Sequence, residues 1–306
     1  MVPKPAPSTL VEMGRILKGA DFSAWRDVPL TKINKRDVLN VLDGIKGRGA
    51  ERQANKTLVY LNLFFKWSRQ RDYVSENPVI SIDKPGIEND RDRVLYMEEL
   101  RLIWKSTEGD DTQFNSIVRL LMLTGQRLNE VAQMRWSEIN TDRRLWTLPA
   151  ERAKNGREHL VPLTDPMIAI LEARKAIQTA LVTINKPMPR LVFTTTGTTP
   201  FSGFSRGKEL LDKRINILLA EADQDADPAP AMEPWRLHDI RRSFVTHCAE
   251  KLRIAPHILE ATINHISGTK SGVAGIYNRA LYLDERRDAL EAWSRHLLDI
   301  VGDAKP

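Results

Sequence analysis

The sequence predicts a mainly α-helical fold with a small antiparallel β-sheet, divided into two domains. Apolar residues recur at helical spacing along most of the 306-residue chain. The only clear strand-like runs are two short ones, at 145–148 and 159–163. A stretch at 84–93 that combines Pro, Gly and charged residues without a hydrophobic period marks a break between domains.

From this break we expect a helical first domain over residues 1–84, a linker over 85–93 and a second domain over 94–306. The overall composition, with 42% hydrophobic and 28% charged residues, is that of an ordinary globular protein. It contains no apolar run long enough to span a bilayer and no signal-peptide core. Cys248 is the single cysteine, which excludes an intrachain disulfide. We therefore expect a cytoplasmic protein.

The first domain reads as a small helical bundle. Helical spacing over 37–45 follows a plausible N-cap at Thr31, and glycines interrupt the pattern at 47–49. A longer helix is predicted from about Ala50 to Arg71, before Asn77-Pro78. Its apolar stripe consists of Leu58, Leu61, Phe64, Phe65 and Ser68. Its other faces carry Arg52, Lys56, Lys66 and Arg69, which are candidate cations for binding a polyanion.

The positive charge of the chain lies in this first domain. Residues 1–85 hold 15 Lys and Arg against 9 Asp and Glu, whereas the other 221 residues hold 31 of each, giving the net charge of +6. A basic domain followed by a neutral one indicates a domain that binds a polyanion. On charge alone, an ordinary solvated basic surface is an equal alternative.

The second domain is predicted to alternate helices with one hairpin. A helix begins at Met97, and an apolar helix over 114–123 is broken by Thr124-Gly125. Further helices are expected over 127–136, 165–181, 207–222, 238–251, 256–264 and 284–300. Between the two strands, Asn155-Gly156 is a strong hairpin turn signal and places Lys154 at the tip.

Four residues of this domain form two helical pairs that suit phosphate chemistry. Arg127 and Glu130 are three apart at a helix start, so the carboxylate can orient the guanidinium. His238 and Arg241 share one helical face in the same way, which lets them donate to phosphate oxygens and transfer a proton. Each pair by itself is more simply explained as a surface ion pair or a chance spacing.

Three more residues can carry chemistry. The Lys154 ammonium, on its turn, can reach into a groove and protonate a leaving oxygen, although a lysine also simply makes a turn soluble. His265 precedes a segment rich in Gly and Ser that presents Tyr277. A tyrosine in such a segment is less typical of a core residue, the alternative being a packed ring with its hydroxyl bonded.

Taken in order, these residues resemble the catalytic set of the tyrosine site-specific recombinases, the phage integrase family. The order is Arg127, Lys154, His238, Arg241, His265 and Tyr277. The surrounding motifs LTGQRLNEV, KNGREHLVPL and LHDIRRSF match as well, and NHISG followed by IYNR is most similar to integrases of prophages and genomic islands. The resemblance covers roughly residues 12–300.

The resemblance implies a core-type DNA-binding domain, an integrase-like catalytic domain and a covalent mechanism. Tyr277 would attack the phosphorus and give a 3′-phosphotyrosyl bond, with Arg127 and Arg241 on the non-bridging oxygens and His265 as a further donor. Lys154 would protonate the 5′-oxygen and His238 would assist the tyrosine proton, while Glu130 holds Arg127. No metal or other cofactor is expected, because fixed cations take the metal's place.

The implied partners are double-stranded DNA attachment sites, other copies of the chain in a tetrameric synapse, and DNA-bending accessory proteins. Such a protein would act in the bacterial cytoplasm, at the nucleoid. The amphipathic run that includes Leu290, Trp293 and Leu297 is expected to dock either on its own domain or on a neighbouring protomer. Related integrases usually carry a further N-terminal domain for arm-type sites, so the chain is expected to be a truncated core or a member without it.

Three alternatives stay open at this point. A type IB topoisomerase shares this chemistry but relaxes supercoils, and an accessory protein would bind DNA with an inactive site. A metal-dependent nuclease is the third alternative, and EDTA would abolish its activity.

Overall fold

The computed structural model describes residues 7–87, 91–183, 187–222, 231–265 and 281–302. The chain divides into two compact units between Asp92 and Arg93. The described residues are mostly helical and include one three-stranded antiparallel sheet, which confirms the predicted fold class. No helix in these ranges has the length and apolar character needed to cross a membrane.

The first unit is a helical bundle with its own apolar core. Its elements are α1 Pro7–Leu17, two 3-10 turns at Ala20–Trp25 and Leu30–Lys32, α2 Lys35–Gly47 and α3 Glu51–Arg69. The predicted N-cap at Thr31 is wrong, because Thr31 lies inside the second 3-10 turn. Asn34 caps α2 instead: its side chain accepts from the backbone of Asp37, whose carboxylate accepts from the Asn34 N–H.

Helix α3 buries the stripe that its sequence predicts. Leu58, Leu61 and Phe65 belong to the core of the first unit. The buried amide of Asn55 holds Gly86, a residue of the predicted linker, by two reciprocal hydrogen bonds of 2.9 Å. A side chain at position 86 would collide with Glu51, so only glycine allows this close approach.

The second unit contains the sheet and the remaining described helices. In chain order, its α-helices and strands are α4 Met97–Lys105, α5 Gln113–Thr124, α6 Leu128–Ala132, β1 Ile139–Asn140, β2 Leu145–Leu148, β3 His159–Pro162, α7 Asp165–Ala180, α8 Phe204–Ala222, α9 Leu237–Glu250, α10 Pro256–Thr262 and α11 Leu283–Gly302. The core is continuous from the buried face of α5 to the sheet and to α9 and α11.

The helix predicted over 127–136 is wrong in extent. Arg127 is extended and caps α6, which already ends at Ala132, and a 3-10 turn follows at Trp136–Glu138. The backbone between them pairs with a distant segment, since Val192 N donates to Met134 O (2.9 Å) and Trp136 N donates to Arg190 O (3.0 Å). These tertiary hydrogen bonds compete with helical ones, which the local pattern does not reveal.

The hairpin also differs from its prediction. Leu148 and His159 form the last pair of β2 and β3, so the connection spans 149–158 and is not a tight two-residue turn. Inside this loop Gly156 N donates to Ala153 O (2.9 Å), which makes Lys154 a central residue of a β-turn and Gly156 its last residue. Strand β1, pairing antiparallel with β2, was not predicted.

Helix α11 packs on the core of its own unit. Leu290, Trp293 and Leu297 are fully buried in the core. The indole N–H of Trp293 donates to the carbonyl of Met122 on α5 (2.7 Å), and its ring meets Phe244 edge to face.

Candidate active site

The first arginine of the site is positioned by a turn that requires glycine. Gly125 ends α5 in the left-handed conformation (φ 63°), and a side chain there would collide with the Phe244 ring. The chain then extends through Arg127, which caps α6. The Arg127 guanidinium donates to Glu130 Oε1 (3.0 Å), and its backbone N–H donates to Glu130 Oε2 (3.2 Å). Glu130 therefore orients Arg127, as the spacing predicts.

The second arginine reaches the same place from α9. Arg241 is buried, and its Nη1 and Nη2 donate to Gly125 O (2.8 Å) and Ile263 O (2.7 Å). Arg127 Nη2 donates to the next carbonyl, Asn264 O (3.2 Å). The two guanidinium groups thus bind neighbouring carbonyls at the end of α10. Burial, and then the charge of Arg127, lower the pKa of Arg241 to about 10, so it stays charged at neutral pH.

His238 lies three residues before Arg241 on α9, and its ring is partly open to solvent. Desolvation of part of the ring lowers its pKa, and the charges of Arg241 and Arg242 lower it further. The Lys154 charge acts in the same direction, so these side chains are within electrostatic range. His238 is consequently neutral at pH 7 and able to accept a proton.

Lys154 and His265 are both exposed at the edge of this site. The backbone N–H of Lys154 is 3.4 Å from Glu130 Oε1, the oxygen that also accepts from Arg127. His265 follows Asn264 directly, and its N–H donates to Glu260 O (2.9 Å). The structure therefore gathers Arg127, Lys154, His238, Arg241 and His265 around one region. Tyr277 lies outside the described residues.

Three polar residues that the sequence does not single out also belong to the site. Gln126 is buried, and its Nε2 donates to Thr262 O (2.7 Å). Asn155 and Asn264 hydrogen-bond to each other across the site. Asn155 could be identified from sequence only as a turn residue, because nothing local shows its distant partner.

The candidate DNA-binding cations of the first unit are all exposed on α3. Arg52, Lys56 and Lys66 fall on one side of the helix. Lys56 donates to Glu12 (2.6 Å), so part of its charge is offset within the unit. In the described ranges, no group of three or more His, Cys, Asp or Glu side chains is arranged to hold a metal ion.

The second, mainly helical unit thus brings two arginines, a neutral histidine and a lysine close together, an arrangement of charges and donors that suits phosphate chemistry. The phage integrase family matches residues 93–282. The chain belongs to this family. It is 27% identical over 287 residues to prophage integrase IntZ of Escherichia coli K12, covering 90% of this chain and 63% of that protein. It is 24% identical to the integrase of Shigella phage Sf6, covering 86% of this chain and 63% of the relative.

The chain therefore spans about 63% of the length of these relatives. Among solved structures, a lambda integrase dimer bound to a COC' core site superposes with a TM-score of 0.62 at 17% identity, covering 88% of this chain and 92% of that one. The Tn1549 transposon integrase in complex with circular intermediate DNA superposes with a TM-score of 0.61 at 14% identity, covering 95% of each chain. These two superpositions establish the similarity of fold.

Proposed function

We propose that the protein is a site-specific DNA recombinase that cleaves and rejoins strands through a 3′-phosphotyrosyl intermediate, and so integrates or excises a mobile element. The observation that carries the proposal is the meeting of Arg127 and Arg241 at the carbonyls of Ile263 and Asn264. Two guanidinium groups so close repel each other: burial lowers the pKa of Arg241, and the charge of Arg127 lowers it further. A shared anion relieves that repulsion.

In this mechanism the arginines bind the non-bridging oxygens of the scissile phosphate. Each guanidinium has five N–H donors and uses only two for the contacts described above, which leaves donors for phosphate. Their charge neutralises the negative charge that develops as the phosphorus becomes pentacoordinate.

The remaining residues transfer protons. The Tyr277 oxygen forms a bond to phosphorus while the bond from phosphorus to the 5′-oxygen breaks. Neutral His238 assists removal of the phenol proton, and the Lys154 ammonium gives a proton to the departing 5′-oxygen. His265 donates to the phosphate. A 5′-hydroxyl from another strand reverses these steps, so rejoining needs no external energy.

The first unit is proposed to bind the DNA backbone through the cationic face of α3, centred on Arg52, Lys56 and Lys66, with Arg69 beside it. The proposed substrate is a double-stranded attachment site, recombined by four copies in a synapse on DNA. DNA-bending proteins are proposed as further partners, and the nucleoid as the place of action.

A nicked suicide substrate tests the proposal directly. It loses a short fragment after cleavage, so rejoining fails and a covalent adduct accumulates on a denaturing gel. We expect an adduct with the wild-type chain in EDTA, and none with Tyr277→Phe despite unchanged DNA binding. An adduct formed by Tyr277→Phe would refute the nucleophile, and the absence of any wild-type adduct would favour an inactive accessory protein.

A second pair of assays separates the recombinase from a topoisomerase. A recombinase should join two attachment sites in trans, whereas a type IB topoisomerase would relax supercoiled DNA that lacks such a site. Relaxation without recombination would overturn the proposed reaction while leaving the phosphotyrosyl chemistry in place.

A further inference from the structure

Two asparagines that the mechanism does not use bind each other across the site. Asn155 Nδ2 donates to Asn264 Oδ1 (2.6 Å) and to Asn264 O (3.3 Å), and Asn264 Nδ2 donates back to Asn155 Oδ1 (3.3 Å). These hydrogen bonds join segments that are 109 residues apart in sequence. Each asparagine adjoins a proposed catalytic residue, Lys154 in one case and His265 in the other.

Both asparagines are held firmly on their own segments. Asn155 is central in the turn closed by Gly156 N and Ala153 O, and its Oδ1 also accepts from Arg157 N (3.2 Å). Asn264 has a left-handed backbone (φ 52°), a conformation that asparagine tolerates better than most residues. Its carbonyl accepts from Arg127, so the Asn155–Asn264 pair connects the Lys154 loop to the segment that binds both guanidinium groups.

Arg152 and buried Ala153 anchor the Lys154 loop before Lys154, since Arg152 donates to the Glu138 carboxylate (2.6 and 2.7 Å) and to Glu130 O (3.3 Å). Beyond Lys154, the Asn155–Asn264 pair is what holds the loop to the phosphate site. The other contact from Lys154 to the site is its N–H at 3.4 Å from Glu130, which is long for a hydrogen bond. Its side chain is exposed and flexible, whereas proton transfer needs the donor within about 3.2 Å of the leaving oxygen. The position of the ammonium therefore depends on where the backbone of the loop is held.

We propose that Asn155 and Asn264 are positioning residues that hold the Lys154 loop so that its ammonium reaches the 5′-oxygen. This inference rests on the proposed function. It requires that loss of the pair slows protonation of the leaving group and leaves phosphate binding by the arginines intact.

A change of leaving group distinguishes this role from a general structural one. In a substrate whose bridging 5′-oxygen is replaced by sulfur, the departing group is a thiolate, the anion of a thiol with a pKa of roughly 8.5. It leaves without a proton, so a variant that lacks only the general acid regains its rate on the sulfur substrate. A variant with a distorted arginine site stays slow on both substrates.

The experiment measures single-turnover cleavage of both substrates by Asn155→Ala, Asn264→Gly and the double variant. Glycine adopts the left-handed conformation without strain, so Asn264→Gly removes the amide and keeps the backbone. Lys154→Ala is the reference for a missing acid. Glu172→Gln, on the exposed face of α7, is the matched surface control.

A positioned general acid contributes about 10²–10⁴-fold to rate, so a displaced one is expected to lose roughly 10–100-fold on the oxygen substrate. On the sulfur substrate each asparagine variant should return to within about threefold of wild type, as Lys154→Ala does. The double variant should be no slower than the slower single variant, because each single substitution already breaks the same Asn155–Asn264 side-chain pair.

Two kinds of result overturn the inference. Unchanged cleavage of the oxygen substrate, or an equal loss on both substrates while Lys154→Ala is rescued, would show that the pair does not position the acid. Failure of the wild-type chain to cleave either substrate would instead overturn the proposed function, and the inference with it.

Discussion

Replacing Glu130 with glutamine tests whether one buried carboxylate organises the arginines. Glu130 is 3% exposed, and its two oxygens accept from the Arg127 guanidinium, the Arg127 N–H and the Lys154 N–H. Glutamine keeps the shape but offers one oxygen and one NH₂ group. In either orientation of the amide, at least one of these donors then faces another donor, and the charge that offsets Arg127 and Arg241 is lost.

The expected cost follows from the burial of the pair. Breaking a buried ion pair costs about 3–5 kcal/mol. The Arg127 side chain is 18% exposed, so water recovers part of its solvation, and we expect a loss of about 2–4 kcal/mol. Urea unfolding followed by tryptophan fluorescence measures it, since five of the seven tryptophans lie in the second unit. The surface control Glu172→Gln should stay within about 0.5 kcal/mol of wild type.

Added sulfate provides the second part of this test. With the carboxylate gone, the two guanidinium groups should bind an anion more tightly, and sulfate at about 100 times its Kd would restore roughly 2.7 kcal/mol. Sulfate should therefore stabilise Glu130→Gln more than it stabilises wild type or Glu172→Gln. An organising role for Glu130 is refuted if Glu130→Gln unfolds at the wild-type urea concentration, or if sulfate stabilises all three proteins equally.

Two further predictions concern the residues that support the site. Burial, and then the charge of Arg286, hold the pKa of His159 well below 6.5. Just below that pH, His159 takes up a proton only in the unfolded chain, so the free energy of unfolding should fall on acidification by up to about 1.4 kcal/mol per pH unit. His159→Gln should lose less stability between pH 7 and 5 than wild type in urea titrations, and an equal loss would contradict this. Trp293→Ala should cost about 3–5 kcal/mol, because it removes a fully buried ring and its bond to Met122, whereas Glu291→Ala on the exposed face of α11 should cost under about 0.5. A stable Trp293→Ala chain would indicate that α11 does not depend on this docking.

The sequence is most informative where the chemistry depends on local spacing. The three-residue separation of Arg127 and Glu130 predicts their ion pair, and the structure has it at 3.0 Å. The cap of α2 also has a local signal, because Asn34 and Asp37 have the spacing of a capping box, and this signal favours Asn34 over the predicted Thr31. Local spacing does not predict contacts that form only in the tertiary structure. The backbone pairing of Met134 with Val192 shortens a predicted helix through a segment about sixty residues away, which no local pattern reveals.

The described part of the site also explains how its cations can be fixed without being neutralised. The last carbonyls of a helix have no partner within it and carry partial negative charge. Carbonyls at the ends of α5 and α10 accept from Arg241, and one just beyond α10 accepts from Arg127. A carbonyl satisfies a donor but cancels no formal charge. Among the described residues, Glu130 is the one carboxylate bound directly to either guanidinium group, and it binds that of Arg127. The arginines are thereby held in place while a net positive charge remains for a phosphate.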